Sequence, residues 1–167
     1  FETCHMAGIE VFYELRNKAR WIAGSSAEIV APGFTDLYAT PALNDLVKGD
    51  VIAFMDAVSA HVDAQTGVYH SATLSLVETA GLPALASFIR EHCDLTLPIA
   101  PQQVQGFDRY GQSLFFDFED YYARLLATAA EKQTLKELLN QTVIWKKATP
   151  HFIQGYKGFA INKHSGM

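Results

Sequence analysis

Cys4 lies in the string Phe1-Glu2-Thr3-Cys4-His5-Met6-Ala7-Gly8-Ile9-Glu10-Val11, where an apolar strand end is expected to run into an amphipathic helix. A thiol at such a junction faces the positive end of the helix dipole, which favours the thiolate, so Cys4 is a candidate nucleophile. The competing reading is an inert thiol buried at the end of a strand. Glu2 stands two residues before it, and strand alternation puts positions two apart on one face, so carboxylate and thiol are expected to share a pocket. Unpaired, Glu2 would oppose ionisation of the thiol, whereas a bound Lys or Arg would neutralise it. A solvated or salt-bridged strand-end carboxylate is the alternative for Glu2. The six histidines have no metal-ligand spacing. His5 would point away from the thiol, while His61, His70, His92, His151 and His164 read as surface or cap residues.

The elements that must position these groups follow from periodicity. Val11, Phe12, Leu15 and Ala19 carry a helical stripe over about Met6 to Lys18, and Trp21-Ile22-Ala23 reads as a buried strand. A strand, helix, strand order predicts parallel pairing with a right-handed crossover. Thr40-Pro41 opens a helical region with a stripe from Val51 to Val62. Ala72, Leu74 and Leu76 alternate with polar residues as a strand with one buried face. A helix over Leu82–His92 follows, then an irregular connection over Leu95–Gln105. Leu114–Phe118 is a predicted strand, helices carry Tyr121 to Leu139, and Val143-Ile144-Trp145 is the last predicted strand. Cys93 continues the stripe of Leu82, Leu85 and Ile89, so it reads as a small apolar core group.

With 167 residues and 49% hydrophobic content the chain can bury a sizeable core as one domain. A net charge of -5 with interspersed signs gives no basic face for nucleic acid. No apolar run reaches membrane-span length. Two cysteines do not make a disulfide framework.

The run Cys4 to Arg16 resembles the segment around the nucleophile of the clostripain-like cysteine peptidases, relatives of gingipain, legumain and caspase. Further matches lie at Ala23 to Ile29, Gly33-Phe34, Ser71 to Leu76, Phe107-Asp108 and Asn140 to Val143. The resemblance implies an α/β, caspase-like α/β/α sandwich with a mostly parallel sheet. It implies a cysteine endopeptidase in which Cys4 attacks the scissile carbonyl and a histidine from an upstream segment protonates the leaving amine. Residues 1–167 are then expected to be one cysteine-bearing, heavy-chain-like domain fragment, associated with an N-terminal light chain or segment of the same precursor. Glu2 falls where the family has a pocket acid for a basic residue, while Ser26 and Glu28 fall where it presents backbone to an extended peptide substrate. Glu28 is alternatively a helix cap or a buried structural acid.

Two departures bear on specificity. Pro32 stands where a second pocket acid is expected, with Asp36 as a substitute if the loop reaches back, and Thr3 replaces a small residue before the nucleophile. The resemblance also implies a bacterial zymogen that is secreted or held in the cell envelope. No cofactor is expected; calcium dependence occurs in the family, yet no loop has calcium-ligand spacing. A catalytically inactive caspase-fold binding or scaffold module is the alternative, and a thiol-dependent amidohydrolase or acyltransferase a third reading.

Overall fold

The computed structural model describes residues 1–31, 33–109, 112–149, 151–154 and 157–167. Its main sheet has three strands, β1 (Trp21–Gly24), β2 (Thr73–Glu78) and β3 (Val143–Ala148), in the order β1-β2-β3. Both pairings are antiparallel, which overturns the expected mostly parallel sheet. The reason lies in the excursions between strands. Helices α2 (Ala42–Val47) and α3 (Val51–Asp63) separate β1 from β2, and α4 (Leu82–His92), α5 (Phe118–Tyr122) and α6 (Ala129–Thr142) separate β2 from β3. Each excursion brings the chain back to the end of the sheet that it left: Gly24 faces Ser75, and Val77 faces Val143. A single crossover helix would have entered from the far end and made the strands parallel.

Helices cover both faces of this sheet. Ile22, Val77 and Val143 join Phe12, Leu82, Leu85, Leu135 and Leu139 in one apolar cluster. Leu74 and Leu76 join Phe54, Met55, Val58 and Val62 of α3 in another. Phe12, Leu82, Leu85 and Leu135 are fully buried, each contributing about 1.5–3 kcal/mol. Helix α4 matches its predicted span, with a proline in its first turn. Asp50 caps α3 by accepting from the Ala53 amide, and a Thr128/Glu131 capping box opens α6.

The first helix, α1, covers Ile9–Leu15 with Gly8 as its N-cap, shorter than the predicted Met6–Lys18. Residues 4–7 form a turn instead, and His5 within it has a left-handed φ of 55°, which no helix continues through. Residues before Cys4 form no strand. They touch the end of β1 through the Phe1 amino group, which donates to the Ala23 carbonyl at 2.7 Å.

The expected strand at Leu114–Phe118 is also absent. Asp108 accepts from the Leu114 and Phe115 amides at 2.7 and 2.9 Å, folding the run back on residues 105–107 through a single bridge, Gly106 to Phe116. A hairpin that the sequence reading passed over, β4 (His151–Gln154) with β5 (Lys157–Ala160), pairs separately from the main sheet. Among the described residues no helix is long and apolar enough to cross a membrane.

Candidate active site

Cys4 is exposed, so the buried, inert reading of its thiol fails. The turn that carries it is strapped to the segment following β1. The Ala27 carbonyl accepts from the His5 amide at 3.1 Å, and the Ser25 carbonyl from the Ala7 amide at 3.0 Å. The Ser26 carbonyl accepts from His5 Nδ1 at 3.0 Å. The Cys4 thiol itself donates to the Ile29 carbonyl at 3.6 Å. Close approach is possible because Gly24 has no side chain: a Cβ there would lie 3.1 Å from the Met6 carbonyl group and 3.2 Å from the Ala7 nitrogen.

The strap is in turn bonded to β2. Thr73 and Ser75, expected on a solvent face, are fully buried because β2 is the central strand. Thr73 Oγ1 accepts from the Ala27 amide at 2.9 Å and bonds the Ser25 hydroxyl at 3.0 Å. Polar residues in the middle of a sheet are thus paired rather than solvated.

Glu2 does not project from a strand beside the thiol. Its Oε1 accepts from the Phe34 amide at 2.7 Å and the Thr35 hydroxyl at 3.1 Å, capping the short 3-10 turn Thr35–Ala39. Tyr38 bonds the same carboxylate; burial first, then the Glu2 charge, raises its phenol pKa. Gly33 has φ +68°, and a Cβ there would sit 2.5 Å from Glu2 Oε1. Glu2 lines a pocket of about 290 Å³ with Phe1, Trp21, Phe34 and Tyr38. The Pro32 position lies outside the described residues. Asp36 is exposed and lines a cavity of about 150 Å³ with Ile29, Gly33, His61 and Tyr69.

Ser26 is buried, with a hydroxyl that finds no partner among the described residues. It lines a third pocket, of about 310 Å³, with His5, Phe115 and Tyr121; the His5 ring stacks on Phe115 at 4.1 Å. Cys4 borders none of these three spaces, but Glu2, Ile29 and His5 around it each line one. Glu28 is ion-paired with Arg109, its Oε2 lying 3.3 Å from Nε. Sequence reasoning allowed for a structural acid there but did not single out Arg109, because one arginine in a polar loop carries no periodic signal.

Few amides of the nucleophile turn are open to stabilise an oxyanion. The His5 and Ala7 amides are committed to the strap, and α1 begins at Ile9. The Cys4 amide has no hydrogen-bond partner among the described residues. Other histidines are engaged elsewhere: His70 lies 4.0 Å from Asp63 and His92 3.4 Å from Glu131. Burial holds the His164 imidazole neutral, lowering its pKa from 6.5 to about 3, with the nearby Lys146 charge a smaller contribution. Cys93 is half-buried against the α4–α6 core and burial raises its thiol, with Glu131 adding to the effect. No group of three or more His, Cys, Asp or Glu among the described residues is clustered to hold a metal.

Neither a protein-family model nor a curated protein matches the chain. Solved structures do. A clostripain from Bacteroides thetaiotaomicron, in complex with the peptide inhibitor BTN-VLTK-AOMK, superposes with a TM-score of 0.86 at 27% identity, over all of this chain and 74% of its own. In fold as in sequence, the chain is clostripain-like. A secreted C11 cysteine protease of the same bacterium gives 0.83 at 27% identity, over 99% of this chain and 47% of its own. An inactive zymogen C11 protease from Parabacteroides distasonis gives 0.78 at 24% identity, sharing the fold over all of this chain and half of its own. The clostripain-like chain thus spans about half the length of two of these three neighbours.

Proposed function

We propose that this chain is the cysteine-bearing part of a cysteine endopeptidase that cleaves after basic residues. The observation carrying the reading is the exposed Cys4 thiol, on a turn strapped by backbone bonds, in a fold shared with a clostripain at 27% identity. The Cys4 thiolate attacks the scissile carbonyl carbon, and the carbonyl electron pair moves to oxygen, where the uncommitted Cys4 amide is a donor. Collapse expels the amine, which takes its proton from a histidine of an upstream segment; water then hydrolyses the thioester. That segment is a light chain or another part of the same precursor, made as a zymogen and exported to the envelope or beyond.

Preference for a basic residue rests on two carboxylates flanking the nucleophile turn. Among the described residues Glu2 accepts hydrogen bonds from the Phe34 amide and the Thr35 hydroxyl, both neutral, so its carboxylate keeps charge to offer a substrate cation. Asp36 lines the cavity next to Ile29. The inhibitor on the first neighbour, VLTK, ends in lysine, which favours the same assignment. Ser26 and Glu28 contribute as part of the strap, through backbone rather than side chain, since one hydroxyl is buried and the other side chain is ion-paired. The proposed steps need only these side chains and water, with no cofactor.

The alternative, an inactive scaffold module, gains from one observation: Glu2 is already occupied in capping residues 34–38. Treating the full-length protein with lysyl, arginyl and aspartyl chloromethylketones and mapping the adduct separates the two. The peptidase reading requires lysyl or arginyl adducts at Cys4. An adduct at Cys93, or none, overturns it.

A further inference from the structure

Arg109 is 1% exposed, the largest fully buried side chain among the described residues. Its side chain joins the strap to Ser71, just before β2. Its Nε lies 3.3 Å from Glu28 Oε2, and one terminal nitrogen donates to the Glu28 carbonyl at 3.4 Å. The same guanidinium donates to the Ser71 hydroxyl at 2.7 Å and the Ser71 carbonyl at 2.5 Å. Carbonyls 25, 26, 27 and 29 face the nucleophile turn; the Glu28 carbonyl between them faces Arg109. A planar cation with several fixed donors can hold both sides of such a junction, which an ammonium cannot.

We propose that Arg109 is a positioning residue of the nucleophile: it locks Glu28 to the entry of β2 and thereby fixes the Ile29 carbonyl against which the Cys4 thiol is set. This rests on the peptidase reading above. The residue never meets substrate, because it is sealed from solvent. Loss of its fork lets residues 28–29 shift, and small misplacements of a reacting group cost large factors in rate.

The test compares two reagents on the full-length protein and on Arg109→Lys, Arg109→Met and Glu28→Gln. A lysyl chloromethylketone needs an aligned thiolate and an intact substrate wall, whereas iodoacetamide needs only an exposed thiolate. The lysyl reagent is expected to modify Cys4 about tenfold more slowly or worse in both arginine variants, with iodoacetamide rates held within about twofold. Arg109→Lys should not rescue, since it keeps charge without the fork. Glu28→Gln, a partly exposed site, carries the test if the arginine variants fail to fold, and should show the same selective slowing in smaller degree. Unchanged lysyl rates in folded variants, or parallel loss with both reagents, overturn the proposal. A wild-type Cys4 that takes iodoacetamide but not the lysyl reagent instead sinks the peptidase reading itself.

Discussion

The helix pair α4 and α6 and the turn Cys4–Ala7 both fix backbone in space, but by different interactions. The helices meet through Leu82, Leu85, Leu135 and Leu139, all buried, and α6 opens on its own capping box. The nucleophile turn has no core of its own; of its residues only Ala7 is fully buried. It is held by the carbonyls of residues 25, 26, 27 and 29, in a segment itself held by Thr73 and Arg109. Apolar packing is non-directional and tolerates small shifts, whereas a chain of hydrogen bonds sets direction and fails when one link is lost. The scaffold should therefore give up stability when cut, and the strap should give up activity.

The sharpest way to break that contrast is Cys4→Ala, which should lower hydrolysis of a lysyl peptide by at least about 1,000-fold. Because the side chain is exposed, calorimetry should find stability within about 0.5 kcal/mol of wild type. Leu135→Ala, at a fully buried position, should cost about 2–5 kcal/mol in urea titration. Its kcat below the unfolding transition should stay at the wild-type value; a matching drop in rate would erase the distinction between the two regions.

His164 supplies a pH test at a group that does not contact the thiol. Its Nε2 is buried without a partner among the described residues, and its pKa falls from 6.5 to about 3 on folding. The unfolded chain therefore binds the proton first. This contribution is fully present above about pH 6.5 and is lost as pH falls toward about 3, with a slope of at most about 1.4 kcal/mol per pH unit. The urea midpoint of His164→Phe should therefore fall less steeply than that of wild type between about pH 6.5 and 3, and equal slopes would clear this imidazole.

Gly33→Ala should cost about 1–3 kcal/mol, because φ is +68° and the new carbon would collide with Glu2 Oε1. Disturbing Glu2 should also raise KM for lysyl over neutral substrates, a signature that pure scaffold damage lacks. The smallest expected effect is Thr128→Ala, which removes one side of the α6 capping box and should shift the thermal midpoint by the equivalent of about 0.5–2 kcal/mol with no kinetic change.

What the sequence made legible follows the same division. Helices α3, α4 and α6 have continuous apolar stripes, so their existence and faces could be read from spacing. Strand direction could not, since an alternating pattern in Thr73–Glu78 is the same whichever way its neighbours run. The Leu114–Phe118 run has strand composition, but Asp108 captures two of its amides from outside, a contact that spacing along the run does not encode. At the site, Cys4 was legible from context, while the roles of Glu2 and Arg109 depend on partners 32 and 38 or more positions away. Thr73 and Ser75 were misread as solvent-facing because a buried hydroxyl and an exposed one look alike until the neighbouring segment is known.

Anyone diversifying this protein by random codons will meet position 24 as a silent filter. The backbone of the nucleophile turn passes so near its Cα that even alanine must push against peptide atoms, and those atoms are tethered by the Ala7 to Ser25 bond. Surviving clones should therefore be enriched in glycine there, a fingerprint that deep sequencing of a library could recover independently of cleavage.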